Sequence, residues 1–395
     1  MKILFICGSI EPGKDGVGDY TRRLSVELIK KGNQIFIIAL NDRYSEKVFA
    51  GIQTEETCPI PILRLPFVCS YKCRFINFKK CIEEFQPDWV SLQYVPYAFN
   101  KRGMPFTILH FWYQLRKLDC KQTVTFHEIA IRFQWHPKTW LIGIAQRIIA
   151  NILSSQALCS FTSIRLYQQY ILLNKQKNIL LPIGSNVSIN NFSEIERETL
   201  RKKLNWENSI ILTYFGTNPR HIGQSFEAIC KLRQHGYDVK LLLIGALNSD
   251  WVKDAHAEIA RLRLSKHVHF TGFLPDYEIF YYLKIADIYL GLFDQGLSFK
   301  SGTIAAAFAA GLPVVATQGD MTDLDWGIED GEALLFYDHS VQHLVHQIEK
   351  LINNHRMREQ MSQAAYTFYQ KKLSWNVLAH NYISRLKSSI LKTSK

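Results

Sequence analysis

Ala286-Asp-Ile-Tyr-Leu-Gly-Leu-Phe-Asp-Gln-Gly-Leu-Ser-Phe-Lys-Ser-Gly-Thr-Ile-Ala-Ala-Ala-Phe-Ala-Ala-Gly-Leu-Pro-Val-Val-Ala-Thr317 reads as a buried strand, a loop of small polar residues, an alanine-rich helix and a second buried strand. Gly311 stops the helix, and Leu312-Pro313 leads into Val314-Val315-Ala316. The loop Gly296–Thr303 opens the helix with Ser298, Lys300, Ser301, Gly302 and Thr303. The first turn of a helix leaves N–H groups without intrahelical partners and carries a partial positive charge, so it suits an anion. Gly302 lets the backbone approach a ligand closely, and Lys300 adds a full charge. A phosphate or diphosphate is the expected ligand.

Outward from this block, strands and helices alternate in both directions. Before it come the expected strands Ile210–Phe215, Val239–Gly245 and His267–Gly272. The first half offers Ile3–Cys7, Gln34–Leu40, a strand after Pro87-Asp88, Thr123–Phe126, Gln156–Phe161 and Ile179–Leu181. Helices are expected at Asp19–Lys31, ending at Gly32, and at Phe75–Phe85, while the stretch after Leu40 reads as turns. Such alternation predicts parallel, doubly wound sheets. A polar break at Ser188–Trp206 separates two halves. The expected organisation is α/β: two Rossmann-like domains, 1–188 and 206–370, facing across a cleft, followed by a terminal helix at 371–395. Open sheets of this kind bind ligands beyond the carboxyl ends of their strands.

The 286–317 block resembles the nucleotide-diphosphate loop of GT-B glycosyltransferases, particularly glycosyltransferase family four. In that family the helix before Gly-Leu-Pro-Val-Val-Ala-Thr carries two glutamates eight residues apart, contacting donor sugar and ribose. Counting back from Gly311, those positions hold Ser298 and Ala306. The first loop, Gly8-Ser-Ile-Glu-Pro-Gly-Lys-Asp-Gly-Val-Gly-Asp-Tyr-Thr21, resembles the element of the same family that approaches donor and acceptor, through Gly16, Gly18 and Asp19. In the plain structural reading Asp19 simply caps the next helix. Val124-Thr125-Phe126-His127 matches the strand end whose histidine contacts the donor sugar, with Glu128 beside it. Pro182-Ile183-Gly184-Ser185-Asn186 resembles the interdomain segment. In the loop Gly216–Gly223, which includes His221, Arg220 takes the place of the family's phosphate-gripping lysine, and the family's earlier arginine has no match. Gly245 lines the nucleotide by the same resemblance, and Phe273 or Leu274 meets the base.

Net charge is +12, and residues 1–190 hold 24 Lys and Arg against 13 Asp and Glu, whereas residues 191–395 hold 23 against 22. This asymmetry suits an anionic membrane surface or an anionic acceptor. Nucleic acid is not expected, because no nucleic-acid motif is present. The eight cysteines are dispersed without a C-x-x-C pair, which fits reduced thiols and argues against a zinc site. Met1-Lys-Ile-Leu-Phe-Ile6 reads as a first strand and not a signal peptide. Trp140–Cys159 is interrupted by Gln146, Arg147, Asn151 and Gln156 and reads as an amphipathic helix.

The resemblance implies a cytoplasmic glycosyltransferase, stationed at the inner face of the membrane, without a cofactor or bound metal. It would move a sugar from a nucleotide-sugar donor to a lipid-linked or polysaccharide hydroxyl with retention. Arg220, Lys300 and the helix N-terminus would stabilise the departing diphosphate, and His127 would touch the sugar. Two other readings stay open: a non-catalytic nucleotide-sugar-binding protein, motivated by Ser298 and Ala306, and an NAD-dependent oxidoreductase, motivated by the glycines of the first loop and Asn41-Asp42. In the latter case the glycines come late after the strand, and Thr21 stands where the last glycine belongs.

Overall fold

The computed structural model of the protein describes residues 1–116, 120–131, 137–217, 221–246, 249–323 and 327–391. The chain divides into two compact units, Met1–Pro182 with Trp375–Lys395, and Ile183–Ser374. The polar break expected at 188–206 lies within the second unit. Residues Glu194–Lys203 are helical there, started by a capping box between Ser193 and Glu196.

The first unit contains strands β1 (Lys2–Cys7), β2 (Gln34–Asp42), β3 (Phe49–Glu55), β4 (Cys58–Pro66), β5 (Trp89–Tyr94), β6 (Lys121–Phe126), β7 (Cys159–Thr162) and β8 (Asn178–Leu180). They form one sheet in the order β3-β4-β2-β1-β5-β6-β7-β8, parallel except for β3. Helices α1 (Gly16–Lys30), α2 (Tyr71–Phe85), α3 (Pro96–Phe99), α4 (Phe106–Leu115), α5 (Pro137–Gln156) and α6 (Arg165–Tyr170) connect them. Helices on both faces bury the central strands completely, which is why β1 is a continuous apolar run. Ile3, Leu4, Phe5 and Ile6 are at most 1% exposed, each contributing about 1.5–3 kcal/mol of burial.

The turn-rich stretch expected after Leu40 is instead the hairpin β3–β4. Its two-residue turn places Glu56 and Thr57 at φ 49° and 72°, conformations usually signalled by Asn-Gly. Pro59 and Pro61 argue against a strand, yet both precede Ile62, where pairing with β2 begins, so their missing N–H groups interrupt no ladder there. Arg22 and Arg23 of α1 pair with Glu55, and Arg23 also with Glu56, tying the hairpin to the helix. The expected strand at Gln156–Phe161 is shortened to Cys159–Thr162 because α5 runs through Gln156.

The second unit adds helix α7 (Glu194–Lys203) and then alternates β9 (Ile210–Phe215), α8 (Ile222–Gln234), β10 (Val239–Ile244), α9 (Ser249–Arg261), β11 (Val268–Phe270), α10 (Asp276–Lys284), β12 (Ile288–Gly291), α11 (Gly302–Ala309), β13 (Val314–Thr317), β14 (Leu334–Tyr337), α12 (Val341–Asn353) and α13 (His355–Phe368). Its six strands are parallel in the order β11-β10-β9-β12-β13-β14. This is the doubly wound order, with its reversal between β9 and β12. One apolar cluster centres on α10, α11 and α13, and another on α8 and α12.

After α13, residues Tyr369–Leu373 form a π turn and Ser374 is extended, so the terminal helix expected from 371 starts instead at Trp375, as α14 (Trp375–Leu391). Helix α14 belongs to the first unit. Tyr382 stacks on Phe161 at 4.8 Å and lies 6.1 Å from Phe5, while Trp375 meets the edge of Tyr20 at 5.2 Å. Among the described residues, no helix is long and apolar enough to cross a membrane.

Candidate functional site

In the second unit the strand-order reversal holds a pocket of about 320 Å³. Tyr214, Phe215, Gly216 and Thr217 line it from the end of β9, and Leu292, Phe293 and Asp294 from the end of β12. Ser301 and Thr303 complete it at the start of α11. A gap forms here because neighbouring strands send their chains to opposite faces of the sheet. Gly216, Ser301 and Thr303 are thereby brought together. Gly245 joins them through its backbone: its φ is +116°, and a Cβ there would lie 3.0 Å from the Gly216 carbonyl oxygen. Only glycine allows these two chain segments to approach so closely.

The loop that carries Ser298 and Lys300 is clamped. The Thr317 hydroxyl donates to the Phe293 carbonyl at 2.7 Å and accepts from the Phe293 N–H at 2.9 Å. Leu297 N donates to Thr317 O, Met321 N to Gln295 O, and Asp323 N to Leu297 O. A Cβ on Gly296, at φ +88°, would fall 2.2 Å from the Thr322 hydroxyl and 2.4 Å from Gly319 N. The backbone therefore delivers α11 to the pocket in one fixed position. Ser301 is the N-cap residue, yet its hydroxyl bonds to Thr303 Oγ1 at 2.8 Å and not to the helix backbone. The first-turn N–H groups are thus not capped by that side chain, as an anion site requires.

Ser298 is buried and Ala306 lies wholly inside the apolar cluster, so neither position offers a carboxylate to the pocket. The acid that does line it is Asp294, which His221 Nε2 meets at 2.5 Å. The sequence reading missed Asp294; a lone acid after an apolar strand carries no signal of its own. Lys300 is half-buried in the same loop. Phe273 is 76% exposed, whereas Leu274 packs partly against the core. Arg220 lies outside the described residues.

In the first unit, the expected loop residues start α1 early. Asp15, not Asp19, is the N-cap, accepting from Val17 N and Gly18 N at 3.0 and 2.9 Å. Asp19 instead accepts from Gly13 N at 3.0 Å and pairs with Arg22 at 2.5 Å. A Cβ on Gly18 would lie 2.6 Å from the Ser9 carbonyl oxygen, whereas one on Gly16 would meet open space. Gly18 is therefore needed for packing and Gly16 is not.

His127 follows β6 and is only 6% exposed. Its Nε2 lies 2.9 Å from Gln93 Oε1, and the Tyr20 ring packs edge-on at 4.6 Å. Burial pushes its pKa down to about 3, so it is neutral at physiological pH. Behind it, Gln93 Nε2 donates to Ser91 Oγ at 2.9 Å, and the Tyr382 hydroxyl donates to the same oxygen at 2.7 Å. Nothing local in the sequence links Tyr382 to Ser91, which lies 291 residues away. Among the described residues, no cluster of three or more His, Cys, Asp or Glu is placed to hold a metal ion. All eight cysteines are free.

The architecture is that of GT-B glycosyltransferases. Residues 196–368, within the second unit, match the model of the family Glycosyl transferases group 1. Over the whole chain the fold is similar to that of sucrose-phosphate synthase from Thermosynechococcus elongatus, with a TM-score of 0.75 and 14% identity over 100% of both chains. It is also similar to HepE of Anabaena in complex with UDP and glucose, with a TM-score of 0.71 and 16% identity over 98% of this chain and 100% of that one. A glycosyltransferase from Rickettsia africae scores 0.73 at 16% identity over 98% of each chain. No curated protein matches the chain in sequence.

Proposed function

We propose that the protein is a retaining glycosyltransferase that moves a hexosyl group from a UDP-linked donor to an acceptor hydroxyl. The observation that carries this reading is the pocket at the strand-order reversal of the second unit, with the start of α11 and the Lys300 loop at its rim. The diphosphate takes the N–H groups of α11 and the charge of Lys300, and Arg220 adds a second cation. The uridine base lies toward Gly245 and Phe273. UDP is chosen because HepE was crystallised with UDP and glucose. In the reaction the bond between the anomeric carbon and the diphosphate oxygen breaks as the acceptor oxygen bonds to that carbon. The acceptor proton passes to the departing diphosphate on the same face. Fixed N–H groups and cations stabilise the negative charge that develops on the leaving group. His127 touches a sugar hydroxyl, and no metal takes part.

The acceptor is proposed to be lipid-linked or a polysaccharide, met by the first unit at an anionic membrane. Helix α5 leaves Trp140, Leu141, Ile144 and Ile148 exposed, with Lys138 on the same helix. Phe106 and Tyr113 are exposed on α4, which packs on α5, and Tyr71 and Ile76 on α2. Aromatic and aliphatic side chains beside cations suit an interfacial surface, at about 1 kcal/mol per well-placed Lys or Arg.

A panel of nucleotide sugars incubated with the protein, with release of nucleoside diphosphate followed, tests the reaction. UDP release and a product with the donor's anomeric configuration are expected. Binding of UDP-sugars without any release, with or without acceptor, would make the protein a binding protein. Co-sedimentation with anionic vesicles at low and high salt tests the surface: binding that weakens with salt is expected, and no binding at low salt removes it.

A further inference from the structure

The polar chain behind His127 has a direction. The Gln93 amide nitrogen donates to Ser91 Oγ at 2.9 Å and to Thr125 Oγ1 at 3.4 Å, and its oxygen faces His127 Nε2 at 2.9 Å. An amide oxygen only accepts, and it therefore demands a proton on His127 Nε2. Ser91 Oγ in turn accepts from both Gln93 Nε2 and Tyr382. The Tyr382 hydroxyl is fully buried, and burial raises its pKa well above the ordinary value, so it remains a donor. Gln93 and Ser91 are themselves wholly buried. With Nε2 protonated, a neutral imidazole has its lone pair on Nδ1. Among the described residues, Nδ1 has no hydrogen-bond partner and is not one of the polar atoms sealed without one. It is the open end of the chain.

We propose that Gln93, backed by Ser91 and by Tyr382 of α14, is a positioning residue that locks His127 as the Nε2–H tautomer, so that Nδ1 accepts a hydrogen bond from a hydroxyl of the bound sugar. This rests on the sugar-transfer reading for the identity of the hydroxyl, but not for the tautomer. It also gives α14 a task beyond packing, because its Tyr382 terminates a chain that ends at the substrate. An acceptor nitrogen discriminates: it favours a sugar with a free hydroxyl at that point and rejects one whose oxygen carries no hydrogen.

The test is long-range proton–nitrogen NMR of the full-length protein labelled with ¹⁵N-histidine, His127 being assigned by its absence in His127→Gln. The wild-type spectrum needs no destabilising variant. It should show pyrrole-type Nε2 and pyridine-type Nδ1 near neutral pH, and the Nδ1 signal should move when UDP-glucose is added but not when UDP is. Gln93→Met should give a mixed or inverted tautomer and lower turnover on UDP-glucose by about tenfold, one hydrogen bond to the reacting sugar, with UDP affinity unchanged. An Nδ1–H tautomer or an imidazolium in the wild type would overturn the proposal, as would an Nδ1 signal unmoved by bound UDP-glucose or a folded Gln93→Met protein with unchanged spectrum and turnover. A wild-type protein that shows the Nε2–H tautomer but binds no nucleotide sugar would uphold the lock and sink the transferase reading instead.

Discussion

The two candidate regions are built by opposite means. Around α11, the candidate groups are mainly backbone N–H groups and short hydroxyls, and their placement depends on close backbone approaches at Gly245 and Gly296. Around His127, the candidate group is a side chain, and its placement depends on residues from β5, α1 and α14 spread across the chain. A site of the first kind is lost when a Cβ is added. A site of the second kind is lost when a distant polar atom is removed, while the fold persists. Each kind also sets its own electrostatics. The helix start keeps its donors uncapped for an anion, whereas burial keeps the histidine neutral.

The contrast is broken most severely at Gly296. Gly296→Ala forces a Cβ into the Thr322 hydroxyl and the Gly319 backbone at a positive φ, and should cost about 3 kcal/mol. Thermal unfolding should show it, and UDP binding should fall with it. Gly16→Ala, where a Cβ meets open space, should leave both nearly unchanged. Equal behaviour of the two variants would erase the distinction. Next in size, the proposed contact of His127 with the sugar and not the nucleotide means that His127→Ala should lower turnover on UDP-glucose by about tenfold to a hundredfold with UDP affinity retained. Unchanged turnover in a folded variant would remove His127 from the site.

Acid sharpens the comparison further. His127 titrates at about 3 in the folded protein and near about 6.5 when unfolded, so between those values the unfolded chain binds the extra proton. Stability is therefore lost as pH falls from about 6.5 toward about 3, at up to about 1.4 kcal/mol per pH unit from this group, and is unaffected above neutrality. His127→Gln should flatten the pH dependence of unfolding free energy in that window by up to one proton. An unchanged slope would mean that the ring is not held neutral. The smallest effect is at the α1 cap. Asp15→Ala should cost about 1 kcal/mol, and Asn should largely restore it. No loss of stability in Asp15→Ala would show the cap to be inert.

The same contrast explains what could be read from the chain beforehand. The α11 block was legible because strand, small-residue loop, helix and strand follow one another within residues 286–317. Parallel β1 and β2 were legible as apolar runs, and β5 and β6 as short segments after Pro87-Asp88 and at Thr123–Phe126. Hairpin β3–β4 was hidden by Pro59 and Pro61 and by a turn of Glu56-Thr57 that carries no glycine. The start of α1 was misplaced because Gly16 and Gly18 disguise a first helical turn, and Asp15 rather than Asp19 caps it. His127 stood out by its position after a strand, but Gln93, Ser91 and Tyr382 could not be joined to it without the fold. Asp294 was invisible for the same reason: its partner His221 arrives from another strand end.

The central claim, a diphosphate held at the start of α11, is tested most directly by calorimetric titration of the wild-type protein and Lys300→Ala with UDP and with uridine. UDP should bind the wild type far more tightly than uridine. Lys300→Ala should cost UDP about 1.5–3 kcal/mol, on the order of 10- to 100-fold, and leave uridine unaffected. Equal losses for the two ligands, or equal affinity of the wild type for both, would contradict it.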